Sequence, residues 1–257
     1  MARVSTTRGY KGRGRFTLRP LTGGRPFELG NVVSLTENIE MDRQGRQNYQ
    51  DVAGGELDVE ENVTSMTFEL QANDITPQNI ALGLRGTSAH VAGAAVTDEP
   101  VDAWAGHRIA FRYLPDPSEP VVVKTVGDTP VTLTLDEDYE RTPHGIRILP
   151  EPENIALPVD PDEALPLTVT YQRNPQHLIQ ALVDAGTEYE MIFHGLNSVD
   201  SGNPVTCRYF RVKFSPTSGF NRQGGDDFAE LNLSGTVLSD ETRTGTGLSK
   251  LLEIAMI

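Results

Sequence analysis

Two long alternating segments constrain the fold of this chain more than any other feature of its sequence. From Val32 to Met41 the apolar residues occupy one parity and the polar residues the other, which predicts a strand with one buried face. The same alternation runs from Leu57 to Leu70, but its parity shifts by one residue near Ser65, and such a shift indicates a β-bulge. The two segments therefore predict a long β-hairpin in a mainly β domain.

The segment that joins these strands, from Asp42 to Glu56, is polar and predicts a loop. It contains two arginines, a tyrosine and a pair of glycines, and it is long for a hairpin connection. Loops of this length inside a domain are usually functional or disordered. After the hairpin, Thr76 as N-cap, Pro77 at the first helical position and Gly86 beyond the end predict a helix of about two turns.

A shift in composition indicates an insertion in the middle of the chain. Between Val96 and Pro166 lie eleven of the seventeen prolines, and fifteen acidic residues against five basic ones. We predict an inserted acidic domain over residues 96–172, built as a small β-sandwich; the alternative is a proline-rich acidic loop with only partial order. Its expected strands are His107–Leu114, Pro120–Val126, Val131–Leu135, Gly145–Leu149 and Leu165–Tyr171. Residues 87–96, which are rich in small side chains, predict a linker.

The chain on both sides of the insertion, residues 1–95 and 173–257, is predicted to form the main domain. A second short helix is expected between Asn174 and Gly186, because four apolar residues recur there at helical spacing. These are Leu178, Ile179, Leu182 and Val183. The other expected strands are Arg15–Leu21, Pro26–Leu29, Thr187–Phe193, Pro204–Phe214, Phe228–Leu238 and an apolar closing strand, Leu248–Ile257. The expected fold is thus a mainly β, antiparallel β-sandwich or half-barrel with two short flanking helices.

The charge of the chain is acidic overall and unevenly distributed. Its 36 acidic and 22 basic residues give a net charge of −14, which argues against nucleic-acid binding through phosphate neutralisation. Residues 1–25 reverse this trend, with seven basic residues and no acidic one, and residues 1–14 are predicted to form a basic arm. Such an arm is either a solvated tail or a segment that docks on an acidic neighbouring subunit.

The cysteine content and the hydropathy pattern indicate where the protein is made. A single cysteine, Cys207, excludes an intramolecular disulfide and fits synthesis in a reducing compartment. No window has the apolar run of a signal peptide or a membrane span. We therefore expect a soluble product of the cytoplasm with no membrane partner.

The residue types that support catalysis or metal binding are present but scattered. The five histidines show no pair at metal-ligand spacing, and the carboxylates of Asp136–Asp138 lack the glycine turn and distal glutamate of a calcium loop. The glycines of Gly245–Lys250 lack the spacing of a phosphate-binding loop, and Cys207 lies within an alternating strand, where a packed residue is expected. The sequence predicts no enzymatic activity, no cofactor and no metal.

Several stretches outside the insertion share the pattern of one protein family. In the first half they are Tyr10–Gly14, Phe27–Val33, the hairpin as far as Met66, and Ile75–Leu82; in the second half they are Glu188–Asn197, Asn203–Val212 and Gly225–Leu238. These stretches resemble the major tail tube proteins of long, flexible-tailed (siphovirus-type) bacteriophages, and the resemblance covers the parts that flank the insertion, about two-thirds of the chain. The resemblance implies a virion structural protein with the tail tube fold. Its inner sheets would join in hexameric rings, and the rings would stack into the conduit for genome ejection.

The resemblance also implies partners and two sets of contact residues. The expected partners are further copies of the chain, the tape measure, tip and terminator proteins of the tail, and DNA that passes without specific binding. The loop from Asp42 to Glu56 and the arm would contact the next ring through Arg13, Arg43, Arg46, Asn48, Tyr49 and Asp51. The wall of the lumen would include Ser34, Thr36, Asn38, Glu40, Thr67 and Glu69. The insertion is expected on the outer surface.

Two alternatives remain open at the level of the sequence. The first is a monomeric β-sandwich binding module on a virion or cell surface, which recognises a carbohydrate or a protein through the proline-rich insertion. The second is a tube protein of a contractile tail or of a secretion apparatus, which shares the tail tube fold and differs in its sheath contacts.

Overall fold

The computed structural model describes residues 9–50, 52, 54–199, 202–217, 219–223 and 228–257. The described chain is mainly β with antiparallel sheets, which confirms the predicted fold class. It divides into two compact units: unit 1 comprises Met1–Ser88 with Ile179–Ile257, and unit 2 comprises Ala89–Leu178. The insertion predicted over residues 96–172 lies inside unit 2.

Unit 1 is built on one antiparallel sheet of eight strands. They are β1 (Gly12–Pro20), β2 (Phe27–Glu28), β3 (Val32–Gln47), β4 (Glu56–Ala72), β13 (Glu188–Asn197), β14 (Asn203–Ser215), β15 (Leu231–Val237) and β16 (Leu252–Met256). The sheet order is β2-β1-β13-β14-β15-β4-β3, and β16 also pairs with β14. The first half of β14 pairs with β16 and its second half with β15, so the sheet splits at this strand. The predicted C-terminal strand is therefore paired, as expected.

The core of unit 1 is formed by the apolar parity of these strands. Phe68 of β4 is fully buried and packs edge-on against Phe214 of β14, with ring centroids 5.2 Å apart. The helix α1 (Pro77–Gly83) adds Leu82 to this core. Its N-cap is Thr76, whose hydroxyl accepts a hydrogen bond from the Asn79 amide at 3.1 Å, as predicted. No helix in the described part of the chain is long and apolar enough to span a membrane.

Unit 2 contains two three-stranded antiparallel sheets that share one hydrophobic core. One sheet has the order β6 (Ala94–Ala103), β11 (Leu165–Arg173), β8 (Val122–Thr125); the other has the order β7 (Arg108–Ala110), β10 (Gly145–Ile148), β9 (Tyr139–Thr142). The buried carboxylate of Asp138 accepts hydrogen bonds from the amides of Thr134 and Asn154, at 2.7 and 2.8 Å. Burial would raise the pKa of Asp138, but these hydrogen bonds outweigh it and leave the pKa below its ordinary value. In the acidic segment Asp136–Asp138, predicted to be turn charge, Asp136 and Glu137 are exposed, whereas Asp138 is buried and fixes the turn.

The second predicted helix is wrong. The segment expected to be helical contains β12 (Gln176–Gln180), which pairs with β5 (Thr87–Val91) in a two-stranded sheet. Of the four apolar residues at helical spacing, Leu182 has a positive φ of 58° and is 73% exposed, and Val183 is 60% exposed. Apolar residues at helical spacing stabilise a short helix only when they pack against a core, and Leu182 and Val183 do not. The pairing of β12 with β5 forms instead, and the predicted helix is absent.

Four further predictions need correction. In the loop, the arm and the linker, strands extend into segments that were predicted to be irregular, whereas one predicted strand does not form. The loop predicted over 42–56 is shorter, since β3 reaches Gln47 and β4 begins at Glu56. Residues 12–14 of the predicted arm belong to β1, whereas residues 1–8 lie outside the described part of the chain. The predicted linker 87–96 contains β5 and the start of β6. The expected strand Val131–Leu135 makes only two isolated bridges, from Thr132 to Lys124 and from Leu135 to Tyr139.

Candidate assembly surfaces

The β3–β4 hairpin is one continuous ladder, from the pair Val32–Ala72 to the pair Gln47–Glu56. Its register shifts next to Thr64, because Glu40 pairs with Ser65 whereas Met41 pairs with Val63. Thr64 is the extra residue, and its hydroxyl donates to the Glu40 carbonyl oxygen at 3.1 Å. The predicted bulge near Ser65 is confirmed. The bulge keeps the apolar residues on both sides of it on one face of the hairpin.

The opposite face of the hairpin is polar over its whole length. The register aligns Thr36 with Glu69 and Asn38 with Thr67, and β15 extends these rows through Ser234 and Thr236. All six residues predicted to line a lumen lie on this face: Ser34, Thr36, Asn38, Glu40, Thr67 and Glu69. Thr67 is half-buried and the other five are exposed. The structure thus brings the predicted lumen residues together on one surface, which we call the polar face.

The polar face is dominated by carboxylates. On the hairpin and β15, its acidic residues are Glu40, Asp42, Asp58, Glu60, Glu69 and Glu230, and its basic residue is Arg46. On the neighbouring strands β14 and β13, Lys213 and the ion pair of Arg211 with Glu188 extend this face. Three of the acidic residues lie beyond the bulge, within the segments that sequence reasoning assigned to the loop or left out of the lumen wall; of these, Asp58 and Glu60 alternate with Leu57 and Val59 in the sequence. A surface on which carboxylates outnumber bases has a negative potential and repels polyanions.

On β4 the apolar face of the hairpin divides at the bulge. Between the bulge and the helix, Met66, Phe68 and Leu70 are buried in the core of unit 1, whereas Ile39, opposite Met66 on β3, is 56% exposed. Beyond the bulge the same face is exposed: Met41 is 60% and Val63 55% accessible. We call the ladder from Met41 and Val63 to the tip the distal hairpin. Its apolar side chains have no core to cover within the described part of the chain.

The edge of β3 is also available for pairing. In the part of the chain that the structure describes, β3 pairs only with β4, which leaves the other edge of a sixteen-residue strand without a strand partner. At the other end of the sheet, β2 pairs only with Thr17 and Leu18 of β1. Unpaired main-chain groups on a long edge are a template for another strand.

The residues predicted to contact the next ring fall on two separate surfaces. Arg43, Arg46, Asn48 and Tyr49 lie in the distal hairpin or at its tip, whereas Arg13 lies in β1. Arg43 forms ion pairs with Glu56 and with Glu61, the latter at 3.6 Å. The side chain of Asn48 accepts a hydrogen bond from the Gln50 amide at 2.9 Å, and Tyr49 is 91% exposed. Asp51 lies outside the described residues.

Arg13 lies beside a groove of about 990 Å³ between β3 and the strands β1, β13, β14 and β16. The floor of the groove is made of two rows that the register aligns across these four strands: Phe16, Phe193, Cys207 and Ile254, and then Gly14, Gly195, Val205 and Met256. Val33 and Leu35 of β3 form the facing wall. Sequence reasoning missed this surface, because only the cross-strand register brings residues so far apart into one row.

The two glycines of the floor are required by close approach. A Cβ atom at Gly14 would overlap the carbonyl oxygen of His194, and one at Gly195 would overlap the ring of Phe193. Both positions therefore require glycine, and no side chain rises from the floor of the groove there.

One hydrogen bond crosses the groove. The hydroxyl of Tyr209, a fully buried residue of β14, donates to the carboxylate of Glu37 on β3. Burial, together with this carboxylate acceptor, raises the pKa of Tyr209, so its hydroxyl stays protonated and keeps donating. Burial likewise raises the pKa of the neighbouring Cys207 thiol, which makes it a poor nucleophile. The bond from Tyr209 to Glu37 links β14 to β3 across the groove.

Comparison with known proteins matches most of the chain to one family. A family model described as "Protein of unknown function UCP028589" matches residues 9–255, which include the hairpin, unit 2 and the lining of the groove except Met256. No curated protein matches the chain. Among the described residues, no group of three or more His, Cys, Asp or Glu side chains is arranged to hold a metal ion.

Proposed function

The chain belongs to this family, and we propose that it is a virion structural protein, the major tail tube subunit of a long-tailed bacteriophage. In this proposal, copies of the chain form hexameric rings that stack into the conduit for the genome. The observation that supports it best is the distal hairpin, a long two-stranded ladder exposed on both faces. An isolated two-stranded hairpin is marginally stable in water, so a hairpin of this length favours a protein whose strands are completed by neighbours.

The edge of β3 supports ring formation in particular. Its sixteen residues are more than the usual length of a strand, and soluble monomers rarely leave so long an edge uncovered. The edge at the other end of the sheet belongs to different residues, so pairing between the two edges would be a head-to-tail contact. Head-to-tail contacts close into rings when the rotation per copy allows it.

The polar face supports the role of a conduit. If the sheets of neighbouring copies join edge to edge, their polar faces form one inner wall. The carboxylates of this wall would keep DNA from binding while it passes, because a phosphate backbone is repelled by negative charge. The expected partners remain copies of the chain and the tape measure, tip and terminator proteins.

Assembly is the direct test of this function. We expect the purified full-length protein, alone or with tail-tip proteins, to form rings or tubes with an axial hole in negative-stain electron microscopy. Sedimentation velocity should show mass that increases with protein concentration. A protein that stays monomeric at every concentration and with every tail-tip protein would overturn the proposal.

A charge-reversal variant tests the conduit separately from assembly. In the triple variant Glu40→Lys, Glu69→Lys, Glu230→Lys, which leaves the distal hairpin unchanged, tubes should form as in the wild type but should retain DNA in a filter-binding assay at low salt. The matched control is Asp128→Lys, Glu151→Lys, Glu163→Lys, which makes the same change in net charge at exposed residues of unit 2. Equal DNA retention by both variants would contradict the assignment of the polar face to the inner wall.

A further inference from the structure

The distal hairpin presents an apolar patch that its own chain does not bury. Met41, Val63 and Val59 lie on one face by register and are 60, 55 and 37% exposed, with the Arg43–Glu61 pair between the first two and Val59. Along β3, Met41 lies about 13 Å, and Gly45, the partner of Val59, about 26 Å, from Glu37, which borders the groove. The described part of the chain provides no core beneath this patch, so a second molecule is needed to cover it.

The groove has the complementary properties. Its floor is apolar and partly open, since Ile254 and Met256 are 53 and 58% exposed. The exposed cations Lys11 and Arg13 are among the residues that line it. The carboxylate in the groove, that of Glu37, is already bonded to Tyr209. The groove thus offers apolar surface with positive charge at one end.

The charges of the distal hairpin match this pattern. Its described residues include five carboxylates, on Asp42, Glu56, Asp58, Glu60 and Glu61, and two arginines. An acidic ribbon with an apolar stripe fits an apolar groove with basic residues at its edge. The two surfaces are built from different residues, so one chain can act as donor and acceptor at the same time.

We propose that the groove of one copy receives the distal hairpin of a second copy. The hairpin lays Met41, Val63 and Val59 on the floor residues Val205, Ile254 and Met256, and the carboxylates of the same hairpin face, those of Glu56 and Glu61, lie near Lys11 and Arg13. Because donor and acceptor differ, the contact is heterologous, so it repeats from copy to copy in a closed ring or an open stack. The inference rests on the proposed tail tube function and adds the acceptor site and the residues that meet there.

Photo-cross-linking in the assembled protein tests this contact. The full-length chain is made with p-benzoylphenylalanine at position 41, as a mixture of unlabelled and ¹⁵N-labelled copies. We expect cross-links that join a labelled to an unlabelled chain and that end on Val205–Tyr209 or on Ile254–Met256. The control carries the photoreactive residue at Val126, which is similarly exposed (56%) in unit 2, and should not label the groove.

The outcomes separate this proposal from the proposed function. Tubes whose cross-links from position 41 end outside the groove overturn the groove as the acceptor and leave the tail tube function standing. Wild-type protein that forms no assembly overturns both. Should the bulky residue at position 41 itself prevent assembly, the charge variants described next decide.

Charge reversal and its compensation give a second, independent measurement. Lys11→Glu with Arg13→Glu should raise the protein concentration needed for assembly roughly tenfold, because it places carboxylates opposite carboxylates. Adding Glu56→Lys and Glu61→Lys, on the hairpin face that contains Met41 and Val63, to the same chain should restore assembly. Adding Asp128→Lys and Glu151→Lys instead restores the same net charge at remote sites and should not. Equal recovery with both additions would show a non-specific charge effect and overturn the contact.

Discussion

The two halves of the β3–β4 hairpin have the same backbone and different surroundings. On the near side of the bulge, Met66 and Phe68 of β4 are 3 and 0% exposed, although Ile39 of β3 is 56% exposed. On the far side, Met41 and Val63 occupy the same face and are more than half exposed. The ladder runs through both halves with one bulge between them. The strands therefore form whether or not their apolar side chains are buried, and the two halves differ in the exposure of those side chains.

This comparison separates what stabilises the chain from what the chain leaves for a partner. The near half contributes to the unfolding free energy of unit 1 through packing, because its side chains leave water when the chain folds. The distal half gains little from folding of a single copy, so its apolar residues are better explained by a contact between copies. Substitutions in the two halves should accordingly change different measured quantities.

The largest expected effect is Phe68→Ala, in the near half. Phe68 is fully buried against Phe214, and its removal should lower the unfolding free energy by about 3–5 kcal/mol through lost burial and a cavity. Met41→Ala, in the distal half, should change the stability of the monomer by less than about 0.5 kcal/mol and should weaken assembly instead. Urea unfolding of dilute protein measures the first effect and sedimentation the second. Similar losses of stability for both variants would refute the division.

The next effect in size is that of Tyr209→Phe, which removes the hydrogen bond between β14 and β3. The hydroxyl of Tyr209 donates to the Glu37 carboxylate, and bonds to charged groups contribute more than neutral ones. We expect a loss of about 1–1.5 kcal/mol in urea unfolding, limited because the freed carboxylate regains water. Tyr49→Phe is the control, since its ring is 91% exposed at the tip of the distal hairpin, and it should be neutral. A neutral Tyr209→Phe would mean that the bond contributes nothing in the folded protein.

The sequence was sufficient for those features of the fold that depend on local pattern. The alternation from Val32 to Met41 predicted β3, the parity change near Ser65 predicted the bulge, and Thr76 with Pro77 predicted the start of α1. Each of these signals is contained in one short stretch of chain. The polar face follows from the same alternation, which is why its six predicted residues lie together.

The features that the sequence did not predict depend on pairing between distant segments. Nothing local shows that Asp42–Gln47 stays in a strand, because its partners are the equally polar residues after Glu56. The helix expected before Gly186 failed for the same reason, since the pairing of β12 with β5 overrides a short helical pattern. The floor of the groove, with Phe16 and Ile254 in one row, requires the register of four strands.

A smaller effect is expected at the ion pair between β13 and β14. Arg211 donates to both carboxylate oxygens of Glu188, at 2.7 and 2.9 Å, and thereby lowers the pKa of Glu188. The lowered pKa means that the pair stabilises the fold fully above the unfolded pKa near 4.5, and that this contribution is lost as the pH falls through the folded value. Arg211→Ala should cost about 1 kcal/mol at neutral pH, a modest value because both groups are about one-third exposed.

Urea unfolding in a series of decreasing pH checks the sign of this effect. The difference between wild type and Arg211→Ala should shrink as Glu188 becomes protonated in both proteins. A difference that stays constant down to acid pH would assign the loss to the packing of the arginine stem instead of its charge.

The smallest effect is expected for the ion pairs of the distal hairpin. Arg43 contacts Glu56 and Glu61, but its side chain is 53% exposed, so solvent and salt screen the attraction. Arg43→Ala should lower the unfolding free energy by roughly 0.2–0.5 kcal/mol at low salt and by less at high salt. The control is Arg46→Ala, which removes an arginine from the same ladder but from its other face, the polar face, where Arg46 lies opposite Asp58. If Arg43→Ala instead unfolded the tip, seen as loss of amide protection in β3 beyond Met41, the ladder of the distal half would depend on these charges. The distal hairpin would then form only at low salt. Its apolar patch would be absent at higher salt, so it could not provide the contact between copies under those conditions.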